Sequence, residues 1–216
     1  MGVDPPTPPA GFSLIAGHPA LDLCNTVDWR LEPENRFERL TSYQAVLAWS
    51  RAAGVITAAE ATAIASLPQR SDPGRPVAAA PTTTVAEREV IRLRDLRETA
   101  YRVVTDRGEA EARALSRMAA EAVRACRLRP AGAAGWDWAE PGPGPATPRR
   151  RLLFALLDLL RGPAMGDVRR CADASCGWLY LDTSPRRNRL WCVGADCGNR
   201  NRVRRHYQRR RAASTA

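Results

Sequence analysis

The sequence predicts an α+β chain, mainly helical with short strands over most of its length and closed by a small cysteine-bearing module. Three observations predict it. Two Thr-x-x-Glu capping boxes, at Thr57–Glu60 and Thr84–Glu87, each open an amphipathic period. Four of the six cysteines fall within the 27 residues from Cys171 to Cys197. The net charge of +10 is concentrated at one end: residues 149–216 hold 16 Arg against 5 Asp, while the other 148 residues hold 17 Arg against 18 acidic side chains.

Taken in order, residues 1–10 read as a proline-rich, disordered lead-in. Phe12–Gly17 reads as a short strand ending at a glycine turn. His18–Trp29, with apolar residues at 20, 21, 23, 24 and 27, suits a buried helix. Leu40–Ala53 is a clearer helix, capped by Thr41 or Ser42 and ended by Gly54. A short helix follows Thr57, and Pro68–Thr83 is a Pro/Gly/Ser/Thr-rich loop. Thr84 starts the longest helix, running to about Arg107, with Ile91, Leu96, Tyr101 and Val103 on its apolar side. Glu109–Cys126 is a second amphipathic helix carrying Leu115, Met118, Ala122 and Val123. Residues 126–129 and 135–139 form a hairpin with Trp136 and Trp138 on one face. Pro141–Pro148 is a linker, Arg149–Arg161 a helix with a Leu/Phe stripe, and Gly162–Gly166 a hinge. The domain reading is therefore 11–162 followed by a module over 166–211 and a tail over 212–216.

No apolar run approaches the ~18 residues of a membrane span, since Leu152–Leu160 is short and interrupted by Asp158. The opening ten residues lack a basic region before an apolar one, unlike a secretory signal. A cytoplasmic location is expected. A near-neutral body with a basic end points to a polyanion as partner.

The cysteines run Cys171-x4-Cys176-x15-Cys192-x4-Cys197. Two close pairs joined by a hairpin-sized span are what a tetrahedral structural zinc site needs, and four thiolates leave no position open for catalytic water. Two disulfides compete with this reading, but a cytosolic chain is kept reduced. A module this short, with few large apolar residues, also needs such a staple to fold. Trp178–Leu181 and Leu190–Trp191 are the expected strands of the hairpin, and a helix is expected to begin at Cys197.

The segment from Cys171 through Cys176-Gly177-Trp178-Leu179-Tyr180-Leu181-Asp182-Thr183-Ser184, Arg186-Arg187-Asn188-Arg189-Leu190-Trp191-Cys192 and Cys197-Gly198-Asn199-Arg200 closely resembles the CGNR zinc finger, named for that last tetrapeptide. Near the start, Phe12-x-Leu14-x-x-Gly17-His18-Pro19-Ala20-Leu21-Asp22-Leu23-Cys24-Asn25-Thr26-Val27 resembles the opening of the ABATE domain. ABATE domains precede CGNR fingers in stress-induced transcription regulators of bacteria, so the resemblance implies a DNA-binding regulator holding one structural Zn2+. Two features depart from the pattern: Leu190 stands where another Arg is expected, and Pro68–Thr83 is a local elaboration.

On a helix begun at Cys197, Arg202, Arg205 and Arg209 fall within about 60° of one another, with Val203 and Tyr207 on the far side against the hairpin. Arg186, Arg187, Arg189, Arg200 and Arg204 complete the candidate contacts to double-stranded DNA, since a guanidinium can bridge a guanine edge or clamp a phosphate. Asn199 is read as bracing the metal loop or capping the helix. RNA is the alternative partner, with Trp178, Tyr180 and Trp191 available for stacking. His18, Asp22, Asn25, Asp28 and Trp29 gather polar groups in an apolar context. They read either as a small-molecule pocket or as buried caps and core hydrogen bonds. An effector, RNA polymerase or a second copy of the chain are the candidate further partners. An enzyme using His18 with Asp22 or Asp28 is the remaining alternative. The chain has only two His and no nucleophile motif or phosphate loop, so no catalysis is expected.

Overall fold

The computed structural model describes residues 11–68 and 83–214; the readings made for residues 1–10 and for most of the 68–83 loop lie outside them. The described residues form two compact units. One runs up to Arg39 and resumes at Gly162, and the other is Leu40–Arg161. The first unit is thus built from both ends of the chain.

The second unit is helical. Ser42 accepts from the Ala45 amide to open α2 (Tyr43–Ala52), and Gly54 (φ +69°) turns the chain after it. Both predicted capping boxes form: Thr57 with Glu60 opens α3 (Ala58–Ala65), and Thr84 with Glu87 opens α4 (Val85–Thr105). α4 packs on α2, on α5 (Glu109–Ala125) and on α6 (Thr147–Arg161). Its buried seam is Val90, Leu93, Leu96, Ala100 and Val104; Ile91, expected inside, is exposed. Leu152, Leu153, Leu156 and Leu159 of α6 meet that seam, and at its edge Arg149 forks onto Glu89 at 2.7 and 3.3 Å, both side chains buried. The expected hairpin forms as β3 (Arg127–Pro130) and β4 (Trp136–Ala139), with Leu128 opposite Trp138. Trp138 stacks on Phe154 of α6 at 5.2 Å.

In the first unit, three sequence readings are corrected. The expected helix over 18–29 is only α1 (Pro19–Cys24), opened by His18, whose Nδ1 accepts from the Ala20 amide. Its end follows from Asn25, whose amide is taken by a distant strand, and the chain then pairs β1 (Val27–Asp28) with β2 (Phe37–Glu38). Phe12–Gly17 makes no ladder, although the Ala16 carbonyl accepts from the Leu181 amide at 2.9 Å. The cysteine module's hairpin is β5 (Val168–Arg170) with β6 (Leu179–Leu181), rather than β6 with residues 190–191. The Tyr180 hydroxyl donates to the Arg189 carbonyl at 2.6 Å, which holds the later segment across a side chain rather than in the ladder. The Leu190 carbonyl accepts instead from the Ala172 amide beside the first cysteine. One tight turn, Gly194–Gly198, then leads into α7 (Asn199–Ser214).

Candidate metal centre and nucleic-acid interface

The fold converges the four cysteines. Cys171 follows β5, Cys176 precedes β6, Cys192 lies on the return segment, and Cys197 sits in the turn before α7. All four are buried, and their sulfurs lie within 4.8 Å of one another. The Cys176–Cys192 and Cys192–Cys197 sulfur separations are 3.6 and 3.5 Å. A tetrahedron with Zn–S bonds of ~2.3 Å places its sulfurs about 3.8 Å apart, so the cage fits zinc with only small adjustment. The donor chemistry agrees. Hydrogen bonds from the other three sulfurs drive the Cys171 thiol far below its ordinary range, while contacts led by Cys171 drive Cys176 and Cys197 up. Sulfurs so crowded must share protons, and a divalent cation removes that conflict. The cage suits one structural zinc.

Two glycines shape it for different reasons. Gly177 (φ +73°) takes a left-handed conformation immediately after Cys176, reversing the chain behind the ligand. Gly198 has no such need; a Cβ there would lie 3.0 Å from Cδ1 of Trp191. The start of α7 rests on the indole.

The surrounding polar groups hold the ligand loops. Asp173, fully buried, accepts from the Ser175 amide and hydroxyl with one oxygen and from Asn201 Nδ2 at 2.7 Å with the other. Asn201 also donates to the Cys197 carbonyl at 2.9 Å. The bracing amide is therefore Asn201, while Asn199 is exposed at the first turn of α7. Asp182 plays the matching part in the next loop, accepting from Ser184 and from the Arg189 amide, and those hydrogen bonds hold its carboxyl below the usual range.

The eight arginines singled out by sequence divide. Arg189 donates to the carbonyls of Trp191 and Cys192 and lies 4.3 Å over the Tyr180 ring. Arg200 donates to Cys197 Sγ at 2.9 Å, pairs with Asp196 at 2.6 Å and reaches Asp173. A zinc tetrathiolate is formally about −2, and these donors answer that charge. Arg187 pairs with Asp167, and Arg204 approaches Asp173 at 3.8 Å. Arg186, Arg202, Arg205 and Arg209 have no partner among the described residues. Val203 and Tyr207, expected to pack on the hairpin, are 47% and 62% exposed. Beyond its first turn α7 has no apolar seam; it is anchored by Asn201, Arg200 and Gly198.

Of the polar cluster near the start of the chain, Asn25 and Trp29 meet this same module, while His18, Asp22 and Asp28 bind groups of the early segment. Asn25 Nδ2 donates to the Leu179 carbonyl and its Oδ1 accepts from the Leu179 amide, both at 2.8 Å. The Val27 carbonyl accepts from Trp178 Nε1 at 2.9 Å. Trp29 adopts φ +51°, which turns the Arg30 and Leu31 amides onto the carbonyls of Cys176 and Ser175. The Arg200 guanidinium lies 4.4 Å over the Trp29 ring. Asp28 is buried in an ion pair with Arg39 at 2.6 Å. Asp22 accepts from the Ala16 amide; burial pushes its carboxyl up to about 6 against the pull of the Ala16 and Ile15 amides. His18 caps α1. Sequence reasoning found these residues but not their destination, since hydrogen bonds to main chain 154 residues away leave no local signature.

The CGNR zinc finger family model matches residues 168–210, and the ABATE family model, described as "Putative stress-induced transcription regulator", matches residues 17–163. No curated protein matches the chain.

Proposed function

The chain belongs to the ABATE family and carries a CGNR zinc finger, and from that premise we propose that it is a zinc-dependent, DNA-binding transcription regulator. The observation that carries the reading is the division of the finger's arginines. Arg189 and Arg200 are consumed by the metal loops, whereas Arg186, Arg202, Arg205 and Arg209 are left without internal partners. Unpartnered cations grouped on one module repel one another, and a polyanion relieves that repulsion. Double-stranded DNA is the partner, and the finger contacts it without catalysing a reaction. Leu40–Arg161 is the sensing unit, responding to an effector, to polymerase or to a second copy of the chain. Of the cluster His18, Asp22, Asn25, Asp28 and Trp29, Asn25 and Trp29 support the metal module, through the Leu179 main chain and the Arg200 guanidinium, while His18, Asp22 and Asp28 bind groups of the early segment itself, so the five do not gather as an effector's pocket.

The test is a titration of zinc-loaded protein with a labelled duplex across salt. Neutralising four to six phosphates gives a slope of log K against log salt between about −4 and −5. Arg202→Ala with Arg205→Ala should flatten the slope by about 2 without loss of zinc. A slope near zero, or equal affinity in protein lacking residues 166–216, would refute DNA binding by the finger. Preference for duplex RNA would replace the partner.

A further inference from the structure

Resting on the reading of the finger as a DNA-binding module, we propose that it carries a subsite for one DNA nucleotide whose base has left the stack. The subsite is a groove of about 340 Å³ lined by Leu190, Trp191, Gly194, Gly198, Asn201, Arg202 and Arg205. A ligand of this groove must answer four features. Arg202 and Arg205 lie three residues apart on α7, on one face, and neither has a partner among the described residues. No carboxylate lines the groove, and its two charged side chains are both cations. Its wall is apolar: Leu190 is 57% exposed in a stretch otherwise rich in arginine, and Trp191 is partly open beside it. Its floor includes two glycines, one of them, Gly194, with nothing within 4 Å of where a Cβ would be, so a ligand can approach the main chain.

An anion alone would use the guanidiniums and leave the Leu–Trp wall wet. An apolar ligand alone would leave two cations unanswered. A nucleotide satisfies both, with its phosphate on Arg202 and Arg205 and its base on the wall. Asn201 is already committed to Asp173 and the Cys197 carbonyl, so it is not free to read a base edge. Recognition is therefore by shape and stacking more than by hydrogen-bond pattern. In intact duplex the base faces are covered by their neighbours and the wall meets only sugar. The groove gains its apolar contact when a base is bulged, frayed or single-stranded.

The experiment compares the full zinc-loaded chain on three labelled DNAs of one sequence: a fully paired duplex, the same duplex with one unpaired nucleotide, and the single strand. Anisotropy at one salt concentration gives the affinities. The bulged duplex should bind about 5- to 10-fold tighter than the paired one, the low end of what one stacked base contributes. Leu190→Ser should abolish that preference and leave the zinc content unchanged. Because the Leu190 side chain is mostly exposed, this variant tests the wall without unsettling the core. Equal or tighter binding of the paired duplex overturns the subsite and leaves DNA binding standing. A preference that survives in Leu190→Ser also overturns it. Binding to none of the three DNAs overturns both readings. Tighter binding of the matching single-stranded RNA than of the bulged duplex overturns DNA as the occupant.

Discussion

Replacing Asn25 by Ala tests whether the early segment is part of the metal module. Asn25 is 3% exposed and makes two 2.8 Å hydrogen bonds to the main chain of Leu179, itself buried in β6. The methyl of Ala reaches neither group, so one buried N–H and one buried C=O lose these bonds. Each such group costs about 1–3 kcal/mol, giving roughly 2–6 kcal/mol in all. That is a large share of the ~5–15 kcal/mol that holds an ordinary domain. With a urea dependence of ~1–3 kcal/mol per molar, the midpoint for this unit should fall by about 1 M or more. Zinc binding and folding of such a module share one equilibrium, so a loss of about 3 kcal/mol appears as roughly 100-fold weaker zinc retention against a chelator. The assay follows zinc release by a colorimetric chelator during urea titration, with helical circular dichroism reporting Leu40–Arg161 in the same sample. The argument fails if Asn25→Ala releases zinc at the wild-type urea concentration, because β6 would then stand without the early segment.

Three further outcomes are expected. Cys192→Ser should reduce bound zinc from about one per chain to a small fraction, measured by elemental analysis, while the helical signal of Leu40–Arg161 persists. Arg149→Met leaves the buried Glu89 carboxylate with only the half-exposed Arg92 at 3.1 Å and should destabilise that unit by about 3 kcal/mol in urea, the low end for breaking a buried pair; replacing both Arg149 and Glu89 by apolar residues should recover much of it. Asp22→Asn should stabilise the metal-bearing unit at pH 7.5 by roughly 1–2 kcal/mol after allowance for solvent screening, read as a higher melting temperature. A carboxyl at about 6 when folded and near 3.9 when unfolded contributes its stability below pH 4 and loses it as pH rises through 6, so the gap between variant and wild type should close in acid.

The local rules were legible wherever the chemistry is local. Both capping boxes, the Ser42 cap, the α6 stripe and the spacing of the four ligands appear in the structure as read from sequence. The misreadings share one cause, a partner far away in sequence. The apolar rhythm after His18 suggested a longer helix, but the helix ends where Asn25 is claimed by Leu179. Trp178–Leu181 was a strand as expected, yet its ladder partner lies before it, because the later segment is held off by the Tyr180–Arg189 contact. A buried Asp that binds two loops, as Asp173 and Asp182 do, looks in sequence like any turn aspartate. The Asp-x-Ser spacing shared by Asp173–Ser175 and Asp182–Ser184 was the available signal, since an aspartate often accepts from an amide two residues on.

The ABATE match runs over 17–163, yet residues 17–39 lie in the same compact unit as the finger and 40–161 form the other. The family boundary and the physical boundary do not coincide. The segment shared between them touches the metal loops directly: the Arg30 and Leu31 amides bind the carbonyls of Cys176 and Ser175, and Trp29 lies under the guanidinium that donates to Cys197. The chain passes from that segment into Leu40–Arg161 and returns at Gly162. β1 and β2 belong to the same compact unit as the finger. On the function proposed above, coupling of 1–3 kcal/mol would change DNA affinity ~5- to 150-fold, and the loss of one or two of these main-chain hydrogen bonds is of that size.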